Sequence, residues 1–384
     1  MKIGRVFKPI KIGAKNAMEY RKMNSMTVLK KLTVFQDQYG RQKRKLRISV
    51  TDRCNFKCVY CMPEHPEWMK KQDLLSFEDL YAFCEFMVQR GIEQIRITGG
   101  EPLMRQGVVH FIEQLQALKA LGLKRISMTT NAHYLKKYAQ ALKKSGLDDL
   151  NISLDSLDPA QFQQITQKPL APVLAGIKAA KNAGFNIKIN TVLMKGLNED
   201  QMISLVKWSQ EQGFEQRFIE FMPLDGDQLW STQIVVSEQE ILQQLESVFN
   251  VQSIPNQGAN PARGYSVNGQ AVGIISTITH SFCGECDRLR LNAQGELYNC
   301  LFAMRGLNLK SEIRGLRPTS QSDQDKQDQL MLQSKLHDYI WAKKQGFHEI
   351  QQLKVNQQLA QNQQQNMKPL SKPQRKISMY MIGG

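Results

Sequence analysis

Six of the seven cysteines in this 384-residue chain fall into two triplets. Cys54, Cys58 and Cys61 are spaced C-x3-C-x2-C inside TDRCNFKCVYCMP (51–63), and Cys283, Cys286 and Cys300 are spaced C-x2-C-x13-C inside FCGECDRLRLNAQGELYNC (282–300). A structural zinc site closes its tetrahedron with four protein ligands, and a four-cysteine iron–sulfur centre used for electron transfer is likewise closed. Three thiolates leave one metal position open for a substrate or cofactor. The second triplet also admits a zinc reading, because His280 stands three residues before Cys283. Cys84, alone in the apolar run FEDLYAFCEFMV, reads as a buried structural thiol.

The loops that carry these cysteines need strands to hold them. From Leu46 onward, apolar β-branched runs alternate with amphipathic segments: LRISV (46–50), QIRIT (94–98), RISMT (125–129), LNISL (150–154), IKINTVL (187–193) and RFIEF (217–221). Helix-like stretches of about a dozen residues or more lie between them, one starting at Ser76 ahead of LYAFCEFMV and others over roughly 107–120, 134–145, 172–183 and 199–212. Ser76 and Asp79 form a candidate capping box for the first. Gly91, Gly122, Gly146, Gly184 and Gly213 stand where these helices should end. Repeated strand–helix units predict a parallel sheet, curled into a complete or partial barrel if the right-handed crossovers all lie on one side. In such a barrel the chemistry belongs at the C-terminal strand ends, which here read TDRCNFKC, GGEP, TTNA, SLDS, MKG and MPL. No G-x-G-x-x-G follows the first strand, which argues against a doubly wound nucleotide fold.

The formal net charge is +16. Residues 1–46 hold thirteen Lys or Arg against Glu19 and Asp37, so most of the basicity reads as a leader rather than a groove across the fold. Nucleic-acid binding is the sharper reading of that leader, a solvated basic arm the plainer one; no aromatic interleaving favours the former. Met23 and Met26 are further candidate starts. No run of about 18 apolar residues predicts a membrane span, and no secretory signal begins the chain, so the expected location is cytoplasmic.

CNFKCVYC, with Tyr60 before its last cysteine, resembles the signature of the radical S-adenosylmethionine (SAM) enzymes, and GGEP (99–102) resembles their loop at the methionine end of SAM. Together with LRISVTDRCNFKCVYCMP, RITGGEPLMR, MTTN, NISLDSLD, NTVLM, RFIEFM, CDRLRL and the terminal GG, the chain resembles the GTP 3′,8-cyclase family from about Leu32 to Leu309 and again at its last residues. The resemblance implies a partial (β/α)6 TIM-like barrel, closed by a C-terminal extension of short strands and helices. It implies two [4Fe–4S] clusters, SAM and an external one-electron reductant. The reaction implied is cyclisation of GTP at the opening of molybdenum cofactor biosynthesis, in which a 5′-deoxyadenosyl radical removes the ribose 3′ hydrogen and C3′ attacks guanine C8. The product would pass to cyclic pyranopterin monophosphate synthase, and the enzyme would be a homodimer.

Carried over residue by residue, the resemblance assigns Cys54, Cys58 and Cys61 to the SAM cluster, and Cys283, Cys286 and Cys300 to a second cluster facing GTP. Tyr60, Gly100, Ser153 and Met222 match SAM contacts. Arg47, Arg96, Thr129, Lys188, Arg288, Leu289 (through its backbone) and Arg290 match GTP contacts. Arg47 and Arg217, with the tail residues Gly383 and Gly384, match groups needed for turnover. Arginine forks suit the oxygens of a triphosphate.

The implied organisation is a basic leader (1–31), a radical SAM core (32–236), a second-cluster region (237–318), a Gln-rich insert, helical or disordered (319–376), and a tail (377–384). Ala132 stands where the family commonly has glycine. Two other readings remain open from sequence: a radical SAM peptide-modifying enzyme with an auxiliary cluster, and a basic zinc protein that binds nucleic acid.

Overall fold

The computed structural model describes residues 34–224, 230–255, 258–316, 323–352 and 378–382. The basic leader, Met23 and Met26, most of the Gln-rich segment, and Gly383 and Gly384 lie outside the described residues.

Six predicted strands are present: β1 (Lys45–Ser49), β2 (Gln94–Thr98), β3 (Arg125–Thr130), β4 (Asp149–Ser153), β5 (Asn186–Leu193) and β6 (Glu215–Glu220). They pair in parallel in that order. The C-terminal region then extends the sheet at both edges. β9 (Gln270–Ile275) pairs in parallel with β6, and β10 (Arg288–Leu291) pairs in parallel with β1. Antiparallel strands β7 (Val251–Ile254) and β8 (Arg263–Val267) continue beyond β9, with β11 (Glu296–Tyr298) and β12 (Leu307–Asn308) beyond β10. Eight consecutive parallel strands thus form an open, partial barrel.

Strand alternation explains why the chain curls this way. Leu46, Ile48, Ile95, Ile97, Ile126, Met128, Leu150 and Ile152 are buried on one face, against the helices. The intervening positions, Arg47, Arg96, Ser127, Asn151 and Lys188, are polar. A parallel strand covered by helices on one side only needs only one apolar face; the other face lines an interior that is polar and open to ligand.

The helices follow the predicted placement, with α1 at Phe77–Val88, α2 at Val108–Leu115, α3 at Leu135–Lys144, α5 at Ala171–Asn182 and α6 at Met202–Gln212. A further helix, α4 (Pro159–Thr166), was not foreseen; Asp158 caps it by accepting from the Gln161 amide. The Ser76 capping box is formed, and an equivalent box at Ser237 opens α7 (Glu238–Glu246). All five predicted helix-ending glycines have positive φ. Cys84 is fully buried, as expected. After the short helix α8 (Lys310–Gly315), the Gln-rich segment contains α9 (Asp323–Trp341), which packs through Leu332, Leu336 and Ile340. Among the described residues no helix is long and apolar enough to cross a membrane.

Candidate functional site

The barrel interior holds two stacked chambers. Arg96 (β2), Ser127 (β3), Lys188 (β5) and Arg217 (β6) line the lower one, nearer the N-terminal strand ends. Two residues further along each strand, Thr98, Thr129, Asn190 and Ile219 line the upper one. The period of two along a strand places both sets on one face.

The upper chamber opens on the first cysteine loop. Cys54, Cys58 and Cys61 line it, as do Tyr60, Gly100, Ser153 and Met222, all four of the matched SAM positions. The GGEP loop packs directly under the cysteine loop. A side chain at Gly99 would lie 2.4 Å from the Thr51 carbonyl, and one at Gly100 2.3 Å from the Arg53 carbonyl. Glycine at both is therefore a steric requirement. Glu101 is fully buried and accepts from the Leu103 amide (3.0 Å), the Thr130 hydroxyl (2.9 Å) and the Asn131 amide (2.8 Å); burial pushes its pKa up to about 7. The Tyr60 hydroxyl donates to Asp155 at 2.7 Å, and Asp155 also accepts from the Val192 amide at 3.0 Å. Burial raises the Asp155 pKa to about 6.

All three thiols of the first triplet are hard to ionise. Burial first, then the Glu101 carboxylate, lifts Cys54 to about 12. Burial, Asp155 and the neighbouring cysteines raise Cys58 well above the ordinary thiol value, and burial with Cys54 raises Cys61 similarly. Three crowded, unpaired sulfur donors with no cation among them suit a multiply charged metal core, which inverts that preference. Among the described residues, no three His, Cys, Asp or Glu side chains gather to hold a metal ion. A four-iron cube is wider than an ion, so the spread of free thiols around one cavity fits a cluster.

The second triplet forms a different kind of cavity. Cys283, Cys286 and Cys300 line it with Arg288, Arg290 and Lys343. Burial raises the Cys286 thiol pKa, but Arg288 and Lys343 outweigh it and hold the group well below the usual value. Cys300 remains raised by burial. His280 does not join the sulfurs: its Nδ1 meets Glu238 at 3.0 Å and the ring is mostly exposed, so the zinc reading loses its fourth ligand.

Arg288 also lines the lower chamber, which joins the second triplet to the cationic interior. Seven cations line that chamber: Lys45, Arg47, Arg96, Arg125, Lys188, Arg217 and Arg288. Three carboxylates answer them. Asp287 pairs with Lys45 (3.0 Å), Asp149 with Arg125 (2.5 Å), and Glu215 with both Lys188 (2.6 Å) and Arg217 (2.5 Å). Seven less three leaves a surplus of four positive charges. The strain is visible in the arginines. Burial, then Arg290, Arg96 and Arg288, drives Arg47 well below its usual pKa. Burial brings Arg96 to about 10, and burial with Arg288 brings Arg290 to about 9. Such a lining suits an anion of several charges.

Two expectations need correction. The polar chemistry is not confined to the C-terminal strand ends: Arg47, Arg96, Lys188 and Arg217 sit within the strands, below the upper chamber. Nor do residues 1–46 form a leader throughout, since Arg41 and Lys43 are buried in the fold, and seven cations converge inside the barrel. Counting charge by segment cannot reveal that alternate strand positions meet in space.

Thr129 lies at the upper chamber, apart from the other matched GTP positions. Leu289 is fully buried, backbone included, and lines neither chamber nor the second cysteine cavity. The tail reaches the site as far as it is described. Met379, in the short helix α10 (Met379–Ile382), lines the upper chamber, and the Tyr380 amide bonds toward the Cys61 sulfur. Asp155, Asn131, whose Nδ2 lies 3.8 Å from the Cys54 sulfur, and Lys343 were missed from sequence. Asp155 had a visible cue, in the SLDS strand end.

Comparison with known proteins places the chain in a family. The Radical SAM superfamily model matches residues 48–209, and the model described as Molybdenum Cofactor Synthesis C matches residues 214–349. A GTP 3′,8-cyclase of Streptomyces coelicolor is 41% identical over 293 residues, covering 74% of this chain and 85% of the relative. The chain belongs to the GTP 3′,8-cyclase family. A second member, from Staphylococcus haemolyticus, is 39% identical over 290 residues, covering 73% of this chain and 85% of the relative. Membership in the Radical SAM superfamily implies a [4Fe–4S] cluster and SAM. Among solved structures, Streptococcus suis SuiB bound to S-adenosylmethionine superposes with a TM-score of 0.57 at 16% identity, covering 77% of this chain and 68% of SuiB. That likeness establishes the shared partial-barrel fold. The family match runs through α9 to residue 349.

Proposed function

We propose that this chain converts GTP to (8S)-3′,8-cyclo-7,8-dihydroguanosine 5′-triphosphate, joining ribose C3′ to guanine C8 in the opening reaction of molybdenum cofactor biosynthesis. One observation carries the reading: the four-charge cationic surplus of the lower chamber, continuous through Arg288 with the second cysteine cavity. A triphosphate of roughly four negative charges answers that surplus, and guanidinium forks match its oxygens.

Cys54, Cys58 and Cys61 would hold the SAM cluster, and Cys283, Cys286 and Cys300 would hold a second [4Fe–4S] cluster at the guanine end of the substrate site. Bound SAM, with its cluster reduced by an external one-electron donor, supplies a 5′-deoxyadenosyl radical. The protein supplies position. Tyr60, held by Asp155, together with Gly100, Ser153 and Met222, shapes the SAM wall of the upper chamber. Arg47, Arg96, Lys188 and Arg217 bind the triphosphate below, while Arg288 and Arg290 flank the guanine end. Thr129, in the upper layer, stands where the ribose must meet SAM. Holding both reacting carbons of one substrate in place is orientation catalysis. The buried approach of Met379–Ile382 supports entry of Gly383 and Gly384 into the same space. Family membership further supports a homodimer, a cytoplasmic location and transfer of product to cyclic pyranopterin monophosphate synthase.

The test is anaerobic reconstitution with SAM and a strong reductant, following 5′-deoxyadenosine with and without GTP. Formation that rises sharply with GTP, with a cyclised product, is the expected result. SAM cleavage indifferent to GTP would instead point to another substrate, such as a peptide. A colourless protein that retains zinc would return the nucleic-acid reading.

A further inference from the structure

Residues 343–346, beyond α9 in the Gln-rich segment, lie directly on the CxxC turn of the second triplet. Lys343 is 2% exposed, and its Nζ donates to the Cys286 sulfur at 3.1 Å and to the Arg288 carbonyl at 3.4 Å. Gly346 stands so close to Cys283 that a side chain there would come within 2.5 Å of its Cβ and 2.9 Å of its sulfur.

Arg41 ties the two segments together. Its Nη1 donates to the carbonyls of Cys283 and Gln345, both at 2.7 Å, and its Nη2 to the Lys344 carbonyl at 2.9 Å. Asp37 accepts from Arg41 at 2.7 Å and from the buried Lys43 at 2.6 Å, and Lys43 in turn donates to the Cys286 carbonyl at 2.9 Å. Gln38 adds a bond to the Lys343 carbonyl at 3.2 Å. Asp37 is thus committed to Arg41 and Lys43, and among the described residues no carboxylate pairs with Lys343. The group that Lys343 meets is the Cys286 sulfur. A buried ammonium is costly without a charged partner, so its placement here calls for one.

We infer that Lys343 is a positioning residue for the second cluster: its N–H···S bond orients Cys286 and makes that cluster easier to reduce. This rests on the reading that the second triplet holds a cluster. Hydrogen bonds to the sulfurs and nearby charge set iron–sulfur reduction potentials, and groups behind the ligands tune the metal. Reduction adds negative charge to the cluster, which an adjacent ammonium favours electrostatically.

The test is an EPR-monitored redox titration of the reconstituted two-cluster enzyme, with the SAM cluster as internal reference. Lys343→Met removes both charge and donor. It should shift the reduction equilibrium of the second cluster at least tenfold toward the oxidised form, 59 mV for a one-electron couple, and leave the first cluster unchanged. Lys343→Arg should return the value to within twofold of wild type. If Lys343→Met fails to assemble the second cluster, Lys343→Gln, which keeps a donor without the charge, should show a smaller shift in the same direction. An unmoved second potential in any assembled uncharged variant overturns the inference, as does an equal shift in both clusters. Wild-type enzyme with a single cluster would instead overturn the two-cluster reading itself.

Discussion

The two cysteine triplets sit in opposite electrostatic surroundings. Around Cys54, Cys58 and Cys61 the nearest charges are the carboxylates of Glu101 and Asp155, and the thiols resist ionisation. Beside Cys283, Cys286 and Cys300 stand Arg288, Arg290 and Lys343, and the Cys286 thiolate is favoured. The first environment fits a cation, and SAM is a sulfonium. The second fits an anion, and a triphosphate is one. The contrast teaches that two similar cysteine patterns can be told apart by the charges their neighbours bring.

The largest test of that division is to remove one triplet at a time. Cys58→Ala should abolish 5′-deoxyadenosine formation altogether. Cys286→Ala should leave slow SAM cleavage but remove its stimulation by GTP. Equal loss in both would erase the distinction.

A milder perturbation targets the charges alone. Arg288→Ala removes a charged donor shared by the lower chamber and the second cavity, an interaction of about 1.5–3 kcal/mol. The expected result is a roughly 10- to 100-fold rise in the KM for GTP, with the KM for SAM unchanged.

Smaller still are two backbone changes, one beside each triplet. Gly346→Ala forces a side chain against Cys283 and should cost about 1–3 kcal/mol, seen as a lower Tm and loss of iron from the second site only. Ala132 adopts a left-handed conformation (φ 61°) next to Asn131 and the first triplet. Ala132→Gly should relieve about 1 kcal/mol and raise Tm without changing either cluster. The smallest effects come from the caps: Ser76→Ala and Ser237→Ala should each cost about 1 kcal/mol with both iron sites intact.

Much of this was legible in the sequence. The alternation in QIRIT and IKINTVL reads as strands with one apolar and one polar face, and the glycines ending the helices were correctly placed. The Ala132 departure gains its physical meaning from φ: glycine suits a position that an L-residue occupies at a cost. Other parts were not legible. Nothing in WAKKQG marks Lys343 as a neighbour of Cys286, 57 residues before it in the chain. Asp37 pairs with both Arg41 and Lys43, but that local pairing does not separate a buried scaffold from a basic leader, because the contacts that bury them come from residues 283–286 and 344–345. The helix at Pro159 was passed over because it is short, although Asp158–Pro159 is a recognisable start.

The central claim is that the second triplet and the arginines behind it receive GTP independently of the first. The most direct measurement is EPR of a variant with Cys54, Cys58 and Cys61 all changed to alanine, reconstituted so that only the second cluster remains, with and without GTP. The account predicts that this cluster assembles and that GTP shifts its spectrum, as it does in the intact enzyme. A spectrum that GTP leaves unchanged, while GTP still drives SAM cleavage in the wild type, would contradict it.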